Sequence, residues 1–142
     1  MKFHHIGLFV SDVVNGRDVI CTLFPEVQFS NVIDDPGHHV TVQFCREASG
    51  ILYELVAPFG EKNPVSDVLK NGKNILNHVA YGVDDIEAAF GRMRAHGCMP
   101  LGRPMPAVAF GGRKVVFMLT PLRFIIELVE KPDDFHDMGA LI

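Results

Sequence analysis

The stretch His5-Ile6-Gly7-Leu8-Phe9-Val10-Ser11-Asp12-Val13 returns, in character at most positions, 73 residues later as His78-Val79-Ala80-Tyr81-Gly82-Val83-Asp84-Asp85-Ile86. An internal repeat decides an architecture before any single motif does. At the same offset, without a gap, Glu54-Leu55-Val56 falls on Glu127-Leu128-Val129, and Val42 and Phe44 fall on Val115 and Phe117. Apolar coincidences mean little in a chain that is 48% hydrophobic. A His pair and a Glu pair held at one offset mean more, and the chain reads as two copies of one unit.

Each copy translates into the same elements. Phe3 to Val10 and Ile75 to Val83 are β-rich runs followed by an Asp that can cap a helix. After Asp85, Ile86, Ala89, Phe90 and Met93 recur at helical spacing and Gly97 stands where a helix ends. The equivalent helix, about Val13 to Phe24, has a poorer pattern with Gly16 inside it, and Pro25 closes it. Three strands then follow in each copy: Val27 to Ile33, His39 to Cys45 and Ile51 to Ala57, then Met99 to Leu101, Lys114 to Leu119 and Phe124 to Glu130. The expectation is an α+β chain of two tandem βαβββ modules, about 1–59 and 74–132. The linker 60–73 carries a short helix starting at Pro64, and the tail 133–142 packs on the surface or frays.

The 142 residues suffice for one domain with a core and are too few for two. Thirteen basic residues against seventeen acidic ones give a net charge of −4, and the basic residues are scattered, which excludes a nucleic-acid groove. No apolar run approaches the roughly 20 residues of a membrane span. No secretory leader is evident at Met1-Lys2-Phe3-His4-His5-Ile6, so a cytoplasmic location is expected. Cys21, Cys45 and Cys98 lack disulfide or zinc-ligand spacing and read as plain thiols.

Alternation along a strand puts His5, Gly7 and Phe9 on one face, and Ile6, Leu8 and Val10 on the other. The second copy groups His78, Ala80 and Gly82 in the same way. The histidine face is therefore built of small residues, which leaves room for something that is not protein. Glu54 and Glu127 sit within apolar strands, where an unpaired carboxylate is costly to bury. Taken singly, these are ordinary core or edge residues. Taken together, His5, Glu54, His78 and Glu127 form a candidate ligand set for a divalent cation, whose charge two carboxylates neutralise. Nitrogen and oxygen donors suit Co, Ni, Zn, Mn or Fe without distinguishing among them.

Paired βαβββ modules with a His on each first strand and a Glu on each last strand resemble the vicinal-oxygen-chelate, or glyoxalase, superfamily over nearly the whole chain. Tyr53-Glu54-Leu55-Val56-Ala57-Pro58-Phe59, Asn77 to Ile86 and Ile126-Glu127-Leu128-Val129 are most similar to its methylmalonyl-CoA epimerase family. The resemblance implies a cup-shaped, eight-stranded mixed sheet around a metal, and a homodimer. The set His-Glu-His-Glu is instead like lactoylglutathione lyase, since the epimerase pattern has Gln where this chain has Glu54. The Glu that serves the epimerases as a second base corresponds here to Gly37, with His38 and His39 beside it.

The implied activity is metal-assisted enolisation of a carbonyl compound, such as methylmalonyl-CoA, with Glu127 and Glu54 as proton carriers on its two faces. Return of the proton to the opposite face of the same carbon is epimerisation. Return to the neighbouring carbon is isomerisation of the lactoylglutathione kind. His39, Thr41 and Gln43 are the expected cavity-facing, substrate-binding positions of their strand, opposite Val40, Val42 and Phe44. Arg113 and Lys114, with Arg103, are candidates for the phosphates of a CoA thioester. Relatives of this fold that bind or sequester small molecules without chemistry define a different class of function, as do metal-dependent dioxygenases and thiol transferases.

Overall fold

The computed structural model describes residues 1–72 and 75–132. Its first half contains β1 (Lys2–Phe9), α1 (Val13–Leu23), β2 (Gln28–Phe29), β3 (Ile33–Asp35), β4 (Val40–Arg46) and β5 (Leu52–Pro58). After α2 (Val65–Asn71), the second half repeats the order with β6 (Leu76–Val83), α3 (Ile86–Ala95), β7 (Met99–Pro100), β8 (Met105–Pro106), a 3-10 turn (Val108–Phe110), β9 (Lys114–Leu119) and β10 (Ile125–Glu130). Eight strands run through one mixed sheet in the order β2-β4-β5-β1-β6-β10-β9-β7, with the short β3 beside β4 and β8 beside β9. Ten strands stand where eight are expected, because one expected strand is split into β2 and β3 and the short β8 is added. The expected tail lies outside the described residues.

Local chemistry starts both helices. The Asp12 carboxylate accepts from the Asn15 amide at 2.7 Å, and Asp85 accepts from the Ala88 amide at 3.0 Å. Caps of this kind are worth about 1 kcal/mol each. Gly16 is explained by packing, because a Cβ there would stand 3.0 Å from Val10 Cγ1 and 3.3 Å from Leu55 Cδ1. The helix lies that close to the sheet. Ile20 packs with Phe29, Cys45 and Leu55, while Ile86 and Ala89 pack with Val116, Met118 and Leu128. At α2 the Asn63 side chain, not Pro64, satisfies the first amides, accepting from Val65 and Ser66.

The strand expected over Val27 to Ile33 is broken in two. Phe29 pairs with Cys45 and Ile33 with Val42, so three residues on one side oppose two on the other, the count of a β-bulge. Ser30 holds the bulge, since its hydroxyl accepts from the Phe44 amide at 2.9 Å.

The two halves meet at β1 and β6, which run antiparallel, while β1–β5 and β6–β10 are parallel pairs. The sheet curls until its outer edges touch: Asp35, ending β3, accepts from the Val108 amide of the 3-10 turn at 3.0 Å. Helices cover the outside of the curl. Its inside is lined by a separate apolar cluster that includes Phe9, Val42, Phe44, Val56, Phe110 and Val115.

Candidate metal centre

The four central strands β5, β1, β6 and β10 deliver one side chain each to a single point: Glu54, His5, His78 and Glu127. Register does this. Gly7 of β1 pairs with both Glu54 and His78, and Ala80 of β6 pairs with both His5 and Glu127. His5 Nε2 lies 2.8 Å from Glu54 Oε2 and 3.0 Å from Glu127 Oε1; His78 Nε2 lies 3.4 Å from each of those oxygens and 3.3 Å from His5 Nε2. All four residues are buried. The small residues of the histidine face make this possible, for a Cβ on Gly7 would fall 2.0 Å from His78 Cε1.

Two carboxylates and two imidazole nitrogens within 4.8 Å of one another need positive charge among them. Protons alone can supply it. Burial by itself lowers the His5 and His78 pKa values, but the facing Glu54 and Glu127 outweigh it and raise both, His78 to about 9. Burial likewise raises the two carboxyl groups, and the histidines outweigh it, holding Glu54 and Glu127 below the ordinary carboxylate range. A divalent cation fits the same demand better. His78 Nδ1 lies 3.0 Å from Asn77 Oδ1, an acceptor, so the neutral ring carries its proton there and turns the Nε2 lone pair inward. Glu127 Oε1 is buried with no well-directed hydrogen bond, the condition of an oxygen that awaits a cation. The donor types suit a first-row divalent metal.

Around His5 the packing is aromatic: Phe110 stacks on it at 5.9 Å and Phe44 meets it edge-on at 5.7 Å. Phe117 meets His78 edge-on at 5.1 Å. Glu54, His78 and Glu127 open onto a cavity of about 320 Å³ inside the curl. Apolar side chains make most of its wall, among them Phe9, Val40, Val42, Val56, Val68 and Phe117.

The expected substrate-binding set is corrected. Phe44 pairs with Glu54 and Val42 with Val56 across the β4–β5 hairpin, and directly paired residues share a face, so Val40, Val42 and Phe44 point inward. Thr41 and Gln43 therefore point away, the first donating to Asp34 Oδ1 at 2.8 Å and the second to the Ser30 carbonyl at 2.8 Å. His39 precedes the strand at φ 58°, where its carbonyl accepts from the Phe59 amide. Lys114 is exposed, 3.6 Å from Glu87, and neither it nor Arg113 nor Arg103 lines the cavity. The polar groups that do line it are Asp35, His38 and Asn77. Hairpin pairing counted back from the turn at Glu47 to Gly50 contains the signal for the true register. No local pattern announces the contact between Asp35 and Val108.

Residues 4–117 match the glyoxalase/bleomycin resistance protein/dioxygenase superfamily. The chain belongs to that superfamily. Within it, the chain is 36% identical to an ethylmalonyl-CoA/methylmalonyl-CoA epimerase of Cereibacter sphaeroides, over 82% of this chain and 87% of the relative. Its fold is that of a crystallised methylmalonyl-CoA epimerase, with a TM-score of 0.74 at 21% identity over 94% of this chain and 97% of the other. A variant of the Streptomyces coelicolor methylmalonyl-CoA epimerase, solved in complex with 2-nitronate-propionyl-CoA, superposes with a TM-score of 0.68 at 20% identity, over 92% of this chain and 96% of the other. Among the described residues, no helix is long and apolar enough to cross a membrane.

Proposed function

We propose that the chain is a metal-dependent epimerase of an acyl-CoA, methylmalonyl-CoA being the first candidate. The observation that carries the reading is the convergence of two imidazoles and two carboxylates on one wall of a largely apolar cavity. Likeness to the epimerase of Cereibacter sphaeroides supports the substrate class. His5, Glu54, His78 and Glu127 would hold the cation, whose chemistry is Lewis-acid stabilisation of the enolate formed when the carbon beside the thioester loses its proton.

The chain's own residues do the rest. A carboxylate of the cluster, Glu127 or Glu54, takes the proton from that carbon or gives it back. The apolar walls exclude water, so that the proton moves between substrate and protein. Asn77 fixes the His78 ring. The reading carries with it a single glyoxalase-like domain over 1–142 and a cytoplasmic homodimer, whose mass on gel filtration would be twice the 15.7 kDa of the chain.

Glu54, where epimerases of this kind have Gln, favours a second reading as an isomerase of the lactoylglutathione type. One experiment separates the two. Metal-loaded protein is incubated with methylmalonyl-CoA or with the glutathione hemithioacetal of methylglyoxal in deuterated water. Label entering beside the thioester carbonyl is expected for the epimerase and is to fall in E127Q and E54Q. Turnover of the hemithioacetal alone would replace the first reading by the second.

A further inference from the structure

Epimerisation needs a proton carrier on each face of the reacting carbon. The oxygens that Glu54 and Glu127 turn to His5 lie within 4.8 Å of one another. Two oxygens that approach one carbon from opposite faces, each at about 3 Å, stand about 6 Å apart. Those two oxygens are too close to flank one carbon, so the second face is better served from another wall of the cavity. Besides its residues, the only titratable side chains that line the cavity, among the described residues, are Asp35 and His38. They line the same cavity as the cluster, at the seam where β3 meets the 3-10 turn.

We propose that His38 is the second catalytic residue, the acid–base group that serves the substrate face turned away from the metal cluster, and that Asp35 is its positioning residue. This rests on the epimerase reading. Asp35 is 4% exposed, and its carboxylate is used up by three bonds: the His38 amide at 3.1 Å, the Val108 amide at 3.0 Å and His38 Nδ1 at 3.0 Å. The last of these puts the ring proton on Nδ1 and leaves the Nε2 lone pair for chemistry. The arrangement is that of a general base whose ring is oriented by a carboxylate.

The step balances without a further reactant. A carboxylate of the cluster takes the proton, an O–H bond forms as the C–H bond breaks, and the electron pair moves into the enolate. His38, an imidazolium beside Asp35, then gives its Nε2 proton to the other face, forming a C–H bond as its N–H bond breaks. His38 ends as a neutral imidazole and the cluster residue as a carboxyl group. The reverse reaction, or exchange with solvent, restores both.

The two epimers of methylmalonyl-CoA, each supplied separately to metal-loaded protein in deuterated water, test the assignment. Wild type is expected to label and invert both. In H38N the amide nitrogen can keep the bond to Asp35 while the acid–base group is gone, and H38Q is the companion variant. In either, inversion is expected to fall at least about 100-fold, while the epimer whose proton faces the carboxylate still acquires label without inverting and the other does not. Metal content and affinity for the CoA ester are expected to stay at wild-type values, and D35N is expected to fall between H38N and wild type. Wild-type inversion in both His38 variants, or equal loss of labelling from both epimers, overturns the role of His38 and leaves the epimerase reading standing. Absence of label from both epimers in wild type overturns the epimerase reading and His38 with it.

Discussion

Gly7 and His78 stand opposite each other across the β1–β6 pair at a separation that admits no side chain between them, since an added Cβ would lie 2.0 Å from His78 Cε1 and 2.2 Å from Nε2. Gly7→Ala is expected to drive the imidazole out of the cluster and to weaken metal binding at least as much as loss of an outer-shell partner does, roughly 10–100-fold. Elemental analysis after dialysis against a weak chelator measures this. Full metal occupancy in the variant would show that the ring has another resting place.

Gly91 supplies the contrast. It lies in α3 with nothing within 4 Å of an added Cβ, so Gly91→Ala is expected to raise stability by roughly 0.5–1 kcal/mol through helix propensity alone. Urea denaturation reads the change. A loss of stability would mean that the helix packs on something at that face.

Asn77→Ala removes the acceptor 3.0 Å from His78 Nδ1 and frees the ring to rotate. Metal affinity is expected to drop about 10–100-fold while the melting temperature of the metal-free protein changes little. Competitive titration with a chromogenic chelator is the assay. An unchanged dissociation constant would take Asn77 out of the site.

Stripped of metal, the cluster should make stability depend on pH in a definite direction. His78 is raised from 6.5 to about 9, so its contribution is complete below about 6.5 and is lost as pH rises through about 9; His5, also raised, acts in the same sense. Glu54 and Glu127 are lowered from 4.5, so theirs is present above about 4.5 and is lost on acidification. Chelator-treated protein is therefore expected to be most stable between about pH 4.5 and 6.5 and to weaken toward pH 9. Urea midpoints at pH 5.5, 7 and 9 that stay level or rise would contradict the imidazolium–carboxylate cluster.

The inward face of β4 can be tested by exchanging polarity on its two sides. Val42→Thr places a hydroxyl on the cavity wall and is expected to change KM for the CoA ester severalfold. Thr41→Val, on the other face, loses only a hydrogen bond to Asp34 and is expected to leave KM alone, with about 1 kcal/mol of stability at stake. The opposite ranking in steady-state kinetics would restore the alternate register.

The convergence of the four side chains was legible in the sequence because the repeat doubles each signal: a His within an apolar strand is ambiguous once and much less so twice at one offset. The helices were legible for the same reason, through Asp12 and Asp85. Legibility failed where tertiary pairing overrides local pattern. Polar Thr41 and Gln43 suggested a wet cavity face, yet the hairpin sets Phe44 beside Glu54 and turns the polar side outward, where Gln43 finds the Ser30 carbonyl. Asp35 and Val108 approach only because a whole sheet closes on itself, a long-range event with no local signature.

The β1–β6 seam has one more consequence. A chain of half this length would own one imidazole and one carboxylate, and could finish the donor set only by meeting its twin along that seam. Such a homomeric assembly is symmetric by construction, and both rims of its cup would be the same. Covalent fusion lifts that restriction: at the offset of 73 residues, Asp35 and His38 correspond to Val108 and Gly111, neither of them ionisable. One rim carries an imidazole and a carboxylate at these two positions and the other carries neither, which is the asymmetry that a molecule with two inequivalent faces calls for.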